Sequence, residues 1–174
     1  MSHKNSKMKV GISCGDPNGI GLEALADALA DKRCFRGMIP VVFAPRALAE
    51  ACFDNVKWSE VDNAGSAKPG QINLVSFDAD DFEHAPGEAS KEAGAVAIQS
   101  LQIAVDHLTN NAVDVLVTAP INKDTIRQAG FSFPGHTEYL ASEAEVDDVL
   151  MLLCCDGLRI GIVTGHMALK DVAN

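Results

Sequence analysis

Apolar positions change their period several times along this chain. Residues 9–13 read as a short buried strand, and Leu22, Leu25, Ala26 and Leu29 follow at i, i+3, i+4 and i+7, the inner stripe of an amphipathic helix. The unit repeats with a β-branched strand at 40–44, Pro45 in a first helical turn, and Ala47, Leu48, Ala51 and Cys52 as an inner face. Short strands at 58–61 and 72–77 are separated by Asn63, Gly65, Pro69 and Gly70, residues that punctuate loops. An acidic segment, 78–87, predicts a solvated connection. The longest helix is predicted over 90–110, with Ala97, Leu101, Ala104, Val105 and Leu108 on one stripe.

A third strand-to-helix unit follows, with a β-branched run at 113–118, a break at Pro120, and a helix over 122–129 closed by Gly130. Apolar runs at 149–154 and 158–163 flank Asp156 and Gly157, a strong short-range hairpin signal. Residues 169–174 read as the opening turn of one more helix. Strands alternating with helices predict an α/β fold, a sandwich with a mostly parallel sheet plus one antiparallel ribbon. The expected organisation is a polar leader at 1–8, a first α/β lobe at 9–119, and the start of an incomplete second lobe at 120–174.

Composition narrows the function classes. At 174 residues the chain fits one domain or a little more, enough to bury about two thirds of its unfolded surface. Fourteen Lys and Arg against 24 Asp and Glu give a formal charge of -10, which repels nucleic-acid phosphates and anionic membranes alike. An anionic substrate would therefore need a local cluster of donors. The longest unbroken apolar run, Val149 to Cys155, is far short of the ~20 residues of a membrane helix. The polar start lacks the apolar core of a secretory signal, so a cytoplasmic protein is expected. Five cysteines without a C-x-x-C pair argue against a disulfide framework or zinc ribbon and predict reduced, mostly buried thiols.

Chemistry is expected at four turns. Residues 14–21, Cys-Gly-Asp-Pro-Asn-Gly-Ile-Gly, join a strand to a helix, where α/β sheets place ligands. Its glycines allow backbone amides to approach a ligand, and Asp16 or Asn18 suits a helix cap, but the spacing is neither G-x-G-x-x-G nor a Walker A loop. Residues 118–123, Thr-Ala-Pro-Ile-Asn-Lys, put Lys123 in a first helical turn, against the helix dipole. That placement suits an anionic partner, or a solvated lysine reaching away. In residues 133–140, Thr137 suits an N-cap and His136 would lie beside free amides, although a Gly-His turn also serves simply as a turn. Thr164-Gly165-His166 offers one imidazole to a metal, but no H-x-E or H-x-x-x-H partner lies nearby. His3, His84 and His107 read as solvated.

Taken in order, Gly-Asp-Pro-Asn-Gly-Ile-Gly (15–21), Thr-Ala-Pro-Ile-Asn-Lys (118–123), Gly-His-Thr-Glu (135–138) and Thr-Gly-His (164–166) resemble the 4-hydroxythreonine-4-phosphate dehydrogenase family. The resemblance spans nearly the whole chain after residue 8 and covers about the N-terminal half of such an enzyme. It implies a cytoplasmic homodimer with a two-lobed, isocitrate-dehydrogenase-like fold, here truncated. The implied reaction belongs to pyridoxal phosphate (pyridoxine) biosynthesis. NAD or NADP oxidises the secondary alcohol of a phosphorylated hydroxy amino acid, a divalent metal (Zn, Mg or Co) assists, and the 3-oxo acid then decarboxylates.

Position by position, the resemblance makes His136 and Thr137 substrate contacts and His166 the first of three metal histidines. Lys123 and Asp16 occupy motif positions of the same substrate-binding kind. The family's other metal histidines and most of its dinucleotide site lie beyond Asn174, so this polypeptide alone is expected to be catalytically silent. Two alternatives remain at this stage: a related dehydrogenase for another phosphorylated hydroxy acid, and a non-catalytic anion-binding module.

Overall fold

The computed structural model describes residues 7–164 and 168–172. Two compact units divide the chain between Pro134 and Gly135. The first is a five-stranded, wholly parallel sheet built from β1 (Met8–Ser13), β2 (Met38–Phe43), β3 (Trp58–Glu60), β4 (Ile72–Val75) and β5 (Val115–Thr118), in spatial order β3-β4-β2-β1-β5. Its central strands, β1, β2 and β4, are largely buried on both faces, as the near-continuous apolar runs of parallel strands require.

Helices α1 (Gly21–Ala30) and α2 (Arg46–Cys52) cover one face, packing Leu22, Leu29 and Leu48 against Val10, Ile12, Val42 and Leu74. The long helix α3 (Lys91–Thr109) covers the other, where Ala104 meets Val41, Phe43 and Val113. Ser90 caps α3, its side chain accepting from the Ala93 amide at 3.0 Å. Helix α4 (Lys123–Gln128) packs on α3, with Thr125 and Ile126 buried. The alternating pattern is thus an α/β fold with helices on both faces.

Three local expectations are corrected. In α2 the buried positions are Leu48 and Ala49 with Cys52 half-buried, while Ala47 and Ala51 are exposed, because the helix opens at Arg46 and its inward arc is narrow. His107 is not solvated: its ring lies 4.8 Å from that of Phe43, and its Nδ1 pairs with the Ile103 carbonyl at 2.9 Å. The cysteines divide, with Cys14 buried, Cys34 and Cys52 intermediate, and Cys154 and Cys155 exposed. The reading of His3 falls outside the described residues.

The second unit holds α5 (His136–Glu143) and the antiparallel pair β6 (Met151–Cys155) and β7 (Leu158–Ile162), closed by Gly157 at φ +80°. Every residue of both strands is exposed. Among the described residues, no helix is long and apolar enough to cross a membrane.

Candidate functional site

The strand order sets where chemistry can sit in the first unit. Adjacent strands β1 and β5 send their chains to opposite faces of the sheet, β1 into α1 and β5 into α4, and such a switch point is where open α/β sheets bind ligands. Two candidate turns meet there. The Asp16 amide donates to the Pro120 carbonyl at 2.8 Å, and the Ala119 amide donates to the Ser13 carbonyl at 3.3 Å.

Glycine makes this approach possible. Gly15 has φ +66°, and a β-carbon there would stand 2.8 Å from the Ala119 carbonyl carbon; one at Gly21 would stand 3.1 Å from the Ala119 β-carbon. The space left by these glycines is therefore filled by the chain's own 119–120 segment. At Gly15 and Gly21 this corrects the expectation that the glycines open the backbone to a ligand, whereas a β-carbon at Gly19 would meet only Asp16.

Neither Asp16 nor Asn18 caps α1; the cap position is Ile20, without a side-chain bond. Asp16 instead accepts from the Asn18 amide through Oδ1 at 3.0 Å. Asn18, only 5% exposed, accepts from the Ala85 amide at 3.0 Å and donates to the Glu88 carbonyl at 2.8 Å. Its own carbonyl accepts from the Gly87 amide at 2.7 Å. One side chain thus fastens the acidic connection to the β1 turn, a role that spacing in the sequence does not signal.

Lys123 is the exposed first residue of α4. Asn122 caps that helix, accepting from the Asp124 and Thr125 amides at 3.0 and 3.3 Å. Asp124 pairs with Arg127 at 2.9 Å and leaves Lys123 without an ion pair among the described residues. A free cation at the switch point suits an anion. A separate groove of about 710 Å³ in the same unit is lined by Asp78, Asp80, Asp81, Phe82, Lys91 and Gln99 and includes neither Asp16 nor Lys123. Its acidic lining disfavours a phosphate.

In the second unit, α5 begins at His136 with Gly135 at its cap position, so Thr137 lies within the first turn and is not the expected N-cap. His136 and Thr137 are both half-buried. The Nε2 atom of His136 is shielded from solvent and has no hydrogen-bond partner among the described residues, and desolvation pulls the imidazole pKa below its ordinary value. An unsatisfied buried nitrogen costs stability and suits a group that completes it.

His166 lies outside the described residues. Among those described, no three His, Cys, Asp or Glu side chains come together as a metal site.

A wholly parallel sheet with helices on both faces and a switch point between β1 and β5 defines a doubly wound α/β protein. The family can be stated more closely, because the model for pyridoxal phosphate biosynthetic protein PdxA matches residues 36–174, and the chain belongs to that family of oxidoreductases. The 4-hydroxythreonine-4-phosphate dehydrogenase of Bacteroides thetaiotaomicron is 31% identical over 98% of this chain and 48% of its own length. A Cutibacterium acnes protein, provisionally named as a D-threonate 4-phosphate dehydrogenase, is 32% identical over 95% of this chain and 50% of its own. The crystal structure of a 4-hydroxythreonine-4-phosphate dehydrogenase from Burkholderia phymatum superposes with a TM-score of 0.84 at 30% identity, over 95% of this chain and 52% of that one. The chain spans about half the length of the curated relatives it matches.

Proposed function

We propose that this chain is the substrate-gripping part of an NAD- or NADP-dependent 4-hydroxythreonine-4-phosphate dehydrogenase. In this reading the secondary alcohol of 4-phosphooxy-threonine is oxidised to the 3-oxo acid, which then loses carbon dioxide. The observation that carries the reading is the shielded Nε2 of His136, without a partner among the described residues, within the Gly-His-Thr-Glu motif. A neutral imidazole there offers one hydrogen bond to an oxygen of the substrate, and Thr137 adds a hydroxyl beside it.

Lys123 supplies charge to the anionic group, worth about 1 kcal/mol at 4 Å in water and more where solvent is excluded. Asp16, with one carboxylate oxygen engaged by Asn18, keeps the other for the substrate's ammonium. A divalent ion (Zn, Mg or Co) with His166 among its ligands belongs to this reading through the family resemblance alone, and the described residues supply no donor set for it. In this reading the residues' part in the reaction is binding and orientation. A cytoplasmic homodimer, with no nucleic-acid partner, completes the proposal.

Titration of the chain with 4-phosphooxy-L-threonine tests this by calorimetry and by the His136 ring resonances. Saturable binding that shifts those resonances is expected, with His136→Asn weakening affinity about tenfold. Unmoved His136 resonances at saturation would overturn the reading. Mixed with NAD and a divalent metal, the chain alone should form no reduced nicotinamide.

One observation favours a neighbouring substrate. The relative named for D-threonate 4-phosphate is as similar to this chain as those named for 4-hydroxythreonine 4-phosphate. The two compounds differ at the carbon that carries the amino group, so preferential binding of the hydroxyl analogue would transfer the assignment.

A further inference from the structure

Resting on the reading of Lys123 as the anion-holding residue, we propose that Gly94 is a positioning residue for it. Gly94 lies on α3 and is fully enclosed by the helix that follows β5. A β-carbon at position 94 would stand 2.5 Å from the Thr125 carbonyl carbon and 2.9 Å from the Ile126 amide nitrogen, closer than real β-carbons come to backbone atoms. Backbone cannot swing aside as the end of a side chain can, so any residue larger than glycine displaces α4 bodily.

What α4 carries makes that displacement functional. Lys123 is its first residue, two positions before the contact, and Asn122 ties the helix start to the Asp124 and Thr125 amides. Just before the helix, the same segment is pinned to the β1 turn where the Asp16 amide donates to the Pro120 carbonyl. With six residues, the helix is too short to absorb a shift along its length. The close approach at Gly94 therefore sets how far the Lys123 ammonium reaches beyond the strand ends. Glycine at this position costs the interior of α3 about 1 kcal/mol relative to alanine, a cost that intimate seating of α4 offsets.

A double-mutant cycle reads this out in the binding of 4-phosphooxy-L-threonine to the chain. The expected result is that Gly94→Ala weakens binding about fivefold or more, that Lys123→Ala does likewise, and that the double variant binds no worse than Lys123→Ala alone. Gly94→Ala should also lose the share of ionic-strength dependence that Lys123 contributes, which a general loosening of the fold would leave in place.

If Gly94→Ala does not fold, Ile126→Ala removes packing from the same seat without intrusion and is expected to couple to Lys123 in the same way. Additive losses, or wild-type affinity in the seat variant while Lys123→Ala binds weakly, would overturn this proposal alone. Wild-type affinity in Lys123→Ala would instead overturn the reading of Lys123 on which it rests, and this proposal with it.

Discussion

The main-chain amide of Asp16 and the carbonyl of Pro120 are joined at 2.8 Å, so the turn that ends β1 and the turn that ends β5 move as one piece. This single bond crosses between loops a hundred residues apart, and it forms only because Gly15 lets the backbone come so near.

Gly15→Ala should therefore lower stability by about 2 to 4 kcal/mol, combining an unfavourable positive φ with overlap against residue 119. A urea melt with an unchanged slope and a lowered midpoint checks it. A variant as stable as the parent would show that the two turns are not in contact in solution.

Asn18→Ala should cost about 1 kcal/mol, since it removes the side-chain partner of the Glu88 carbonyl and of the half-buried Ala85 amide. Amide exchange supplies the local measurement. Protection at Ala85 should fall well before protection in β1 changes, and a uniform loss would point to global destabilisation instead.

Much of the scaffold was legible in the sequence for a physical reason. Buried parallel strands and amphipathic helices write their environments as periods, and the stripes at Leu22 and Leu29 and at Ala97 and Leu101 are buried as the periodicity predicts. Turn chemistry was legible too, as in Asp156-Gly157 between β6 and β7. Long-range satisfaction of polar groups has no period. Ser100, at the heart of α3, accepts from the Cys14 amide at 2.8 Å and donates to the Phe43 carbonyl at 2.6 Å, and nothing in the flanking residues announces it. Asn18 was mistaken for a cap for the same reason. At the candidate site the residues could be named from their motifs, but the filling of the glycine gaps by residues 119 and 120 required the strand order.

Thiol chemistry should separate the cysteines. Burial pushes the Cys14 pKa up to about 12, so at pH 8 only about one molecule in ten thousand carries its thiolate. A disulfide reagent should modify exposed Cys154 and Cys155 readily and reach Cys14 only after denaturant opens the core. Prompt modification of Cys14, read by peptide mass, would contradict the packing described.

The pH dependence of stability should carry the mark of His136. Its folded pKa lies below the ordinary value of about 6.5, so the unfolded chain binds more protons as pH falls through that value, and stability drops with it until the folded pKa is passed. Comparing urea midpoints at pH 7 and below, His136→Gln should flatten this slope. An identical slope in the variant would place the titration elsewhere.

The ribbon of β6 and β7 has aliphatic side chains on both of its sides, with Leu152, Leu153, Leu158 and Ile160 each more than half exposed. Two strands alone hold together only weakly in water. Its pairing is therefore a borrowed order: left bare, the ribbon should exchange its amide protons fastest of all the strands and be the first stretch a protease cuts, while the five-stranded sheet stays intact.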